Sequence, residues 1–79
     1  DKVAKLKARC NDSGFAKVVV KFVDTSMNGE RLTIEVGGRN YITGVLGDKA
    51  KLVAGPFSGS QFVRLVSPAC NDTATASCP

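Results

Sequence analysis

Three cysteines, Cys10, Cys70 and Cys78, are the residues of this 79-residue chain best suited to covalent chemistry. In so short a chain they predict a disulfide and an oxidising compartment. A Cys70–Cys78 bond would close a short local loop around the Thr/Ala-rich tail. A Cys10–Cys78 bond is the alternative, and it requires the tail to return as a strand beside the first segment. We expect the local pairing and retain the long-range one.

The other residue types argue against catalysis and metal binding. Histidine is absent, which removes the commonest general base and the usual partner of a Ser or Cys nucleophile. Glu30 and Glu35, the two glutamates, have opposite parity in one short predicted strand and would not form a catalytic carboxylate pair. The cysteine spacing lacks the paired pattern of zinc sites, and no phosphate-binding loop is present. The sequence therefore predicts a protein that is not an enzyme and has no cofactor or metal.

The charge is mildly basic, with eleven Lys and Arg against seven Asp and Glu and a net charge of +4. The first segment concentrates basic residues that could contact an acidic partner: Lys5, Lys7 and Arg9. Nucleic-acid binding is disfavoured because Phe22 and Phe62 are assigned to the core and few aromatic residues remain for stacking. No run of about 18 apolar residues occurs, so no membrane span is predicted.

Alternation of apolar and polar residues with a period of two predicts that these side chains are positioned by β-strands. Turn signals such as Asn28-Gly29 and Gly37-Gly38 separate the strands. We therefore predict an all-β protein, a small antiparallel β-sandwich with six or seven short strands and a disulfide-tethered C-terminal tail. Residues 1–69 would form the sandwich, and residues 70–79 a cysteine-bounded loop or edge strand. The predicted strands cover residues 2–10, 15–23, 31–36, 39–46, 49–54 and 61–66.

Outward-facing apolar side chains are candidate partner contacts. Phe15, Val19 and Val23 share the outer face of the second predicted strand with lysines, and Phe57 lies in a loop. Together they would form an exposed apolar stripe for a protein partner. The alternative is that these residues pack under loops or a second sheet. The basic first strand could separately pair with an acidic neighbour and set its register.

The tail also contains candidate modification sites. Asn71 begins an Asn-x-Thr acceptor pattern for N-linked sugar. Thr73, Thr75 and Ser77 form a hydroxyl cluster that could carry O-linked sugar. The simpler interpretation is that these residue types form turns.

The segment from Val18 to Pro68 resembles small immunoglobulin-like β-sandwich domains of bacterial surface and filament proteins. The residues that carry this resemblance are Val-Lys-Phe-Val, Asn-Gly-Glu-Arg-Leu-Thr-Ile-Glu-Val, Gly-Gly-Arg-Asn-Tyr and Gly-Pro-Phe-Ser-Gly-Ser. The ending from Cys70 to Cys78 is similar to the disulfide-bounded C-terminal loop of type IV pilins. Ordinary pilins also carry a long hydrophobic helix, which this sequence does not contain. The resemblance therefore implies the β-rich partner chain of a split pilin, paired with a separate helical filament-core subunit.

We accordingly expect a non-enzymatic structural or interaction domain, a globular subunit of an extracellular filament or pilus. Its partner would be a helical filament-core subunit or neighbouring copies of itself. The alternative is a free-standing secreted module that binds carbohydrate, nucleic acid or a target protein. The first residue is Asp1 and not Met, so we expect that a leader has been removed and that the protein is secreted, extracellular or on the cell surface.

Overall fold

A computed structural model describes residues 2–66 and 72–79, which form seven strands in two antiparallel sheets. Sheet A has the order β1-β2-β5, and sheet B has the order β4-β3-β6-β7. The predicted all-β antiparallel sandwich is confirmed. None of the described residues lies in a helix that could cross a membrane. The strands are β1 (Val3–Cys10), β2 (Ala16–Phe22), β3 (Arg31–Val36), β4 (Arg39–Gly44), β5 (Lys49–Ala54), β6 (Gly59–Leu65) and β7 (Thr73–Cys78).

The core lies between the sheets and is built from every second residue of each strand. In β3, Leu32, Ile34 and Val36 are completely buried, as the alternation predicts. Full burial of each such side chain contributes about 1.5–3 kcal/mol. The facing residues of sheet A that are also buried come from β2 and β5: Ala16, Val18, Val20, Phe22, Ala50 and Ala54.

β1 departs from regular alternation at its beginning. The period-two pattern places Ala4 on the same face as Leu6, but Ala4 is exposed and Val3 is half-buried. The cause is an irregularity between Val3 and Lys5, where the pairing register with β2 shifts. An extra residue at a bulge reverses the facing of the residues before it. From Leu6 onward the strand follows the predicted parity.

Successive strands do not form a simple meander. β1 with β2, β3 with β4, and β6 with β7 are antiparallel neighbours, whereas the chain changes sheet after β2, β4 and β5. Gly37 and Gly38 form the tight β3–β4 turn with φ values of 59° and 86°, as predicted for a two-residue turn. At one side of the sandwich, the Thr43 hydroxyl of β4 donates to the Lys51 carbonyl of β5 over 2.9 Å. β4 and β5 are thereby linked across the two sheets.

On the opposite side, β1 and β7 are joined by a disulfide between Cys10 and Cys78, with Cα atoms 5.0 Å apart. The expected Cys70–Cys78 pairing is therefore wrong, and the long-range alternative is correct. β7 is extended along β6, and six extended residues span roughly 17–20 Å, so β7 carries Cys78 away from its own start. Cys70 and Asn71 lie outside the described residues. The disulfide is compatible with an oxidising extracellular environment.

Candidate binding surface

The outward positions of sheet A form a surface that is almost entirely basic. Antiparallel pairing aligns three outward residues of each strand into three rows that cross the sheet, and each row contains one residue of β1, one of β2 and one of β5. Seven of these nine positions carry Lys or Arg and none carries an acid. We call this surface the cationic face. Its rows are Lys5, Lys21 and Lys49; Lys7, Val19 and Lys51; and Arg9, Lys17 and Val53.

The cationic face holds a high density of charge without nearby neutralisation. Neighbouring strands lie about 4.8 Å apart, and alternate residues on one strand about 6.8 Å apart. Like charges placed directly opposite each other on a sheet are destabilising. The side-chain ion pair found among the described residues joins Arg64 to Glu35, 2.9 Å apart on sheet B. The basic side chains of the cationic face therefore form no ion pair among the described residues.

Lys5 shows the effect of this crowding directly. Hydrogen bonding with the Lys7 side chain, and then charge repulsion from it, lower the pKa of the Lys5 ammonium below its ordinary value. A partner that brings negative charge would counter this repulsion, since an opposite charge favours the ionised form.

Part of the cationic face has an apolar floor. A groove of about 730 Å³ extends from the outer face of sheet A across β1 to β7. Val19, Val53 and Phe15 line it together with Arg9 and Lys17. Val53 is 62% exposed, whereas Val19 and Phe15 are half-buried. We call this feature the docking groove, because apolar floor and cationic rim together fit a partner with both kinds of group.

The β1–β2 turn positions Phe15 at one end of the docking groove. The Asn11 side-chain oxygen accepts hydrogen bonds from the backbone N–H groups of Ser13 and Phe15, both over 2.9 Å. The Asn11 backbone N–H in turn donates to the Phe15 carbonyl over 2.9 Å. Asparagine is favoured at turns because its short side chain can bond to the backbone that follows it. Phe15 is therefore held at the rim by the same turn that the sequence signals.

A second depression lies at the other end of the cationic face. Its volume is about 190 Å³, and Val19 lies among the residues that line it. The remaining lining residues, which we call the lysine quartet, are Lys5, Lys7, Lys21 and Lys49.

The predicted partner residues divide between two places. Val23 lies just beyond β2, is 61% exposed, and donates its backbone N–H to the Lys2 carbonyl over 2.9 Å. Phe57 is half-buried against the core and does not line the docking groove. Its backbone N–H donates to the Gly14 carbonyl over 2.8 Å. The stripe Phe15, Val19 and Val23 thus runs along β2, while Phe57 packs against the core.

The hydroxyl cluster of the tail is displayed on β7. Thr73, Thr75 and Ser77 are all exposed, and Thr75 lines the docking groove. Their modification stays a prediction, as does that of Asn71.

The assignment of Phe62 to the core is wrong. Its side chain is 55% exposed, because it has the outward parity of β6. Val63 and Leu65 have the inward parity and are buried. Phe62 lies opposite Thr75 of β7 on the outer surface of sheet B.

Sequence reasoning found only part of the cationic face. It identified the basic residues of β1, and it placed Val19 beside the lysines of β2, but it did not join these two strands with each other or with β5 into one surface. The available signal was parity, since each of these residues lies at an outward position of its own predicted strand. The residues missed as a group are Lys17, Lys21, Lys49, Lys51 and Val53.

The described residues contain no group of three His, Cys, Asp or Glu side chains placed to hold a metal ion. Comparison of the chain with protein families, with curated proteins and with solved structures finds no match.

Proposed function

We propose that this chain is a non-enzymatic interaction domain that docks an acidic partner on its cationic face. The observation that supports the proposal is the registered array of seven basic side chains on β1, β2 and β5, with no acid among them. Complementary charge steers two proteins together and sets their relative orientation. The apolar floor of the docking groove supplies area that is removed from water on contact.

The partner that fits best is an acidic amphipathic helix of another protein chain. An α-helix with its side chains is about 10–12 Å wide. The three strands of the cationic face span two inter-strand gaps, about 10 Å in all. A helix lying in the groove would place its apolar stripe on Val19 and Val53 and its carboxylates beside Arg9 and Lys17. This is the helix-in-groove mode of recognition.

We place this domain in an extracellular filament or pilus, as the globular subunit attached to a helical core subunit. Three features support that setting: the two-sheet architecture, the disulfide, and the resemblance noted in the sequence. The neighbour order β1-β2-β5 and β3-β6-β7 also corresponds to the A-B-E and C-F-G orders of immunoglobulin-like sandwiches. β4 lies beside β3 and not beside β5.

A synthetic peptide tests the docking proposal. The probe is an amphipathic helical peptide with leucines on one face and glutamates flanking them, and its binding is followed by fluorescence anisotropy. We expect binding that weakens as salt is added, because charges on an exposed surface are screened. The same peptide with lysines in place of glutamates should not bind.

Paired charge reversals locate the contact. The double variant Arg9→Glu/Lys17→Glu should weaken peptide binding by about tenfold or more, equivalent to about 1.4 kcal/mol. The control Arg31→Glu/Arg39→Glu makes the same change in net charge on sheet B, where both residues are exposed. It should alter affinity by less than about twofold. Equal losses in the two variants, or no binding by the parent chain, would overturn the proposal.

The state of the native protein separates the filament setting from a free-standing module. A filament subunit should occur in high-mass assemblies, detected by size-exclusion chromatography with light scattering. A free-standing module that uses the cationic face for nucleic acid should be monomeric and bind single-stranded DNA with strong salt dependence. Mass spectrometry of unreduced native material would also detect attached sugar and any covalently bound neighbour.

A further inference from the structure

We propose that the lysine quartet is a binding site for a compact polyphosphate anion, a ligand that the docking proposal neither requires nor explains. Lys21 lies at the centre of one row, with Lys5 paired to it from β1 and Lys49 from β5. Lys7 borders the same depression, and Val19 completes its lining. Four lysine side chains from three strands therefore line one depression of about 190 Å³.

The strand pairing holds these charges together. Each backbone position is fixed by the ladders of sheet A, so the lysines cannot move apart without loss of strand hydrogen bonds. Their long side chains, however, are free to converge on a ligand. Each ammonium carries three hydrogen-bond donors and binds phosphate as a point charge. The lowered pKa of Lys5, caused by Lys7, supports the same conclusion, because a bound anion would relieve that repulsion.

The lining selects among anions. No aromatic side chain occurs among the described residues that border the depression, so a nucleobase has no ring on which to stack. The lining side chains offer no hydrogen-bond acceptor, so sugar hydroxyl groups have no side chain to which they can donate. Three ammonium groups in a row of about 10 Å, with the fourth in the next row, match several adjacent phosphate groups better than one. A compact anion with multiple phosphates is therefore the ligand class that fits.

The nearest acid in the sequence does not enter the site. Asp48 precedes Lys49 in the β4–β5 turn, but it is not among the lining residues. Its backbone carbonyl accepts the Phe22 N–H over 2.7 Å, which anchors this turn to the end of β2. The positive charge of the quartet is consequently available to a ligand.

The probe for this site is inorganic tripolyphosphate, with orthophosphate as the comparison, and binding is measured by isothermal titration calorimetry at low ionic strength. We expect tripolyphosphate to bind about tenfold more tightly than orthophosphate, or tighter. The double variant Lys21→Gln/Lys49→Gln should lose about tenfold in tripolyphosphate affinity. Circular dichroism of each variant checks that the sheets are retained.

Two charge-matched control variants show whether any loss of tripolyphosphate affinity is specific to the lysine quartet. Arg9→Gln/Lys17→Gln removes two charges from the docking groove, and Arg31→Gln/Arg39→Gln removes two from sheet B. Both should retain tripolyphosphate affinity within about twofold. Equal losses in all three double variants would show general attraction by net charge and would overturn the site, as would equal affinity for the two phosphates. Peptide docking is tested with variants of the docking groove, and tripolyphosphate binding with variants of the lysine quartet. Failure of the docking proposal can therefore be told apart from failure of the anion site.

Vesicles distinguish the source of the phosphates. The two samples are phosphatidylcholine vesicles with and without a polyphosphorylated inositol lipid. Binding to the phosphorylated vesicles that tripolyphosphate displaces would support the site and identify a lipid headgroup as its source. Binding of tripolyphosphate without binding to either vesicle sample would support a free polyphosphate as the ligand. Vesicle binding that tripolyphosphate cannot displace would contradict the proposal.

Discussion

Removal of the Cys10–Cys78 disulfide should cost this small domain a large part of its stability. The bond joins the last residue of β1 to the last residue of β7, at the side of the sandwich where these two edge strands are neighbours. β7 has only one ladder, with β6, and Ala76 is its one fully buried hydrophobic residue. Cross-linking two distant residues stabilises the fold mainly by restricting the unfolded chain.

The magnitude follows from the length of the closed loop. The two cysteines are 68 positions apart. The chain-entropy relation for a loop of that length gives about 4.4 kcal/mol at 25 °C. A chain of 79 residues has a total stability of about 4–12 kcal/mol at 0.05–0.15 kcal/mol per residue. Loss of the bond should therefore remove a third or more of the free energy of unfolding.

Urea denaturation followed by circular dichroism measures this effect. We compare the parent chain with Cys10→Ser/Cys78→Ser and with Cys70→Ser. The double variant should unfold at a much lower urea concentration, because ΔG falls linearly with denaturant. Cys70→Ser leaves the Cys10–Cys78 bond intact and should change the free energy of unfolding by less than about 0.5 kcal/mol.

Two outcomes would refute this reasoning. One is a Cys70→Ser variant that is destabilised as strongly as the double variant, since that would return the stabilising bond to the tail loop. The other is a double variant that loses less than about 1 kcal/mol, far below the loop-closure value. Peptide mapping without reduction should find the peptide that contains Cys10 linked to the one that contains Cys78.

Three further predictions concern the turns and the core. Gly14→Ala should lower the free energy of unfolding by about 1–3 kcal/mol, because Gly14 has a φ of +89° and an added Cβ would lie 2.6 Å from the Phe57 carbonyl oxygen. A melting temperature equal to that of the parent chain would contradict this prediction. Hydrogen bonds from the side chain and backbone of Ser26 lower the pKa of the Asp24 carboxyl below its ordinary 3.8. The contribution of this carboxyl to stability is therefore present above that value and is lost as pH falls below it. The urea midpoints of Asp24→Asn should lack this part of the acid dependence, and a pH profile equal to that of the parent chain would contradict the prediction. Ile34→Ala, at a fully buried site, should lower the free energy of unfolding by about 2–5 kcal/mol. Ile42→Ala, at a site 65% exposed, should change it by less than about 0.5 kcal/mol. Similar urea midpoints for the two variants would mean that the inward parity of β3 is misassigned.

The amino-acid sequence determined the strands and, for most of them, the side that faces the core. Leu32, Ile34 and Val36 alternate with polar residues, and the pleat of a strand turns that alternation directly into one buried and one exposed face. The Gly37-Gly38 turn was equally readable, because positive φ angles are accessible to glycine without strain. Ala4 was misplaced because a bulge depends on the partner strand and not on the strand's own pattern.

The tertiary structure alone decided which strands are neighbours. The cationic face exists because β5 lies beside β2, so that Lys49 and Lys51 join the basic residues of β1 and β2. The partner of Cys78 was decided in the same way, by the return of β7 to the side of β1. A period of two is a local property of each strand, whereas the order of strands results from burying all their apolar faces in one core. That order depends on contacts between residues far apart in the chain, and a local pattern does not encode them.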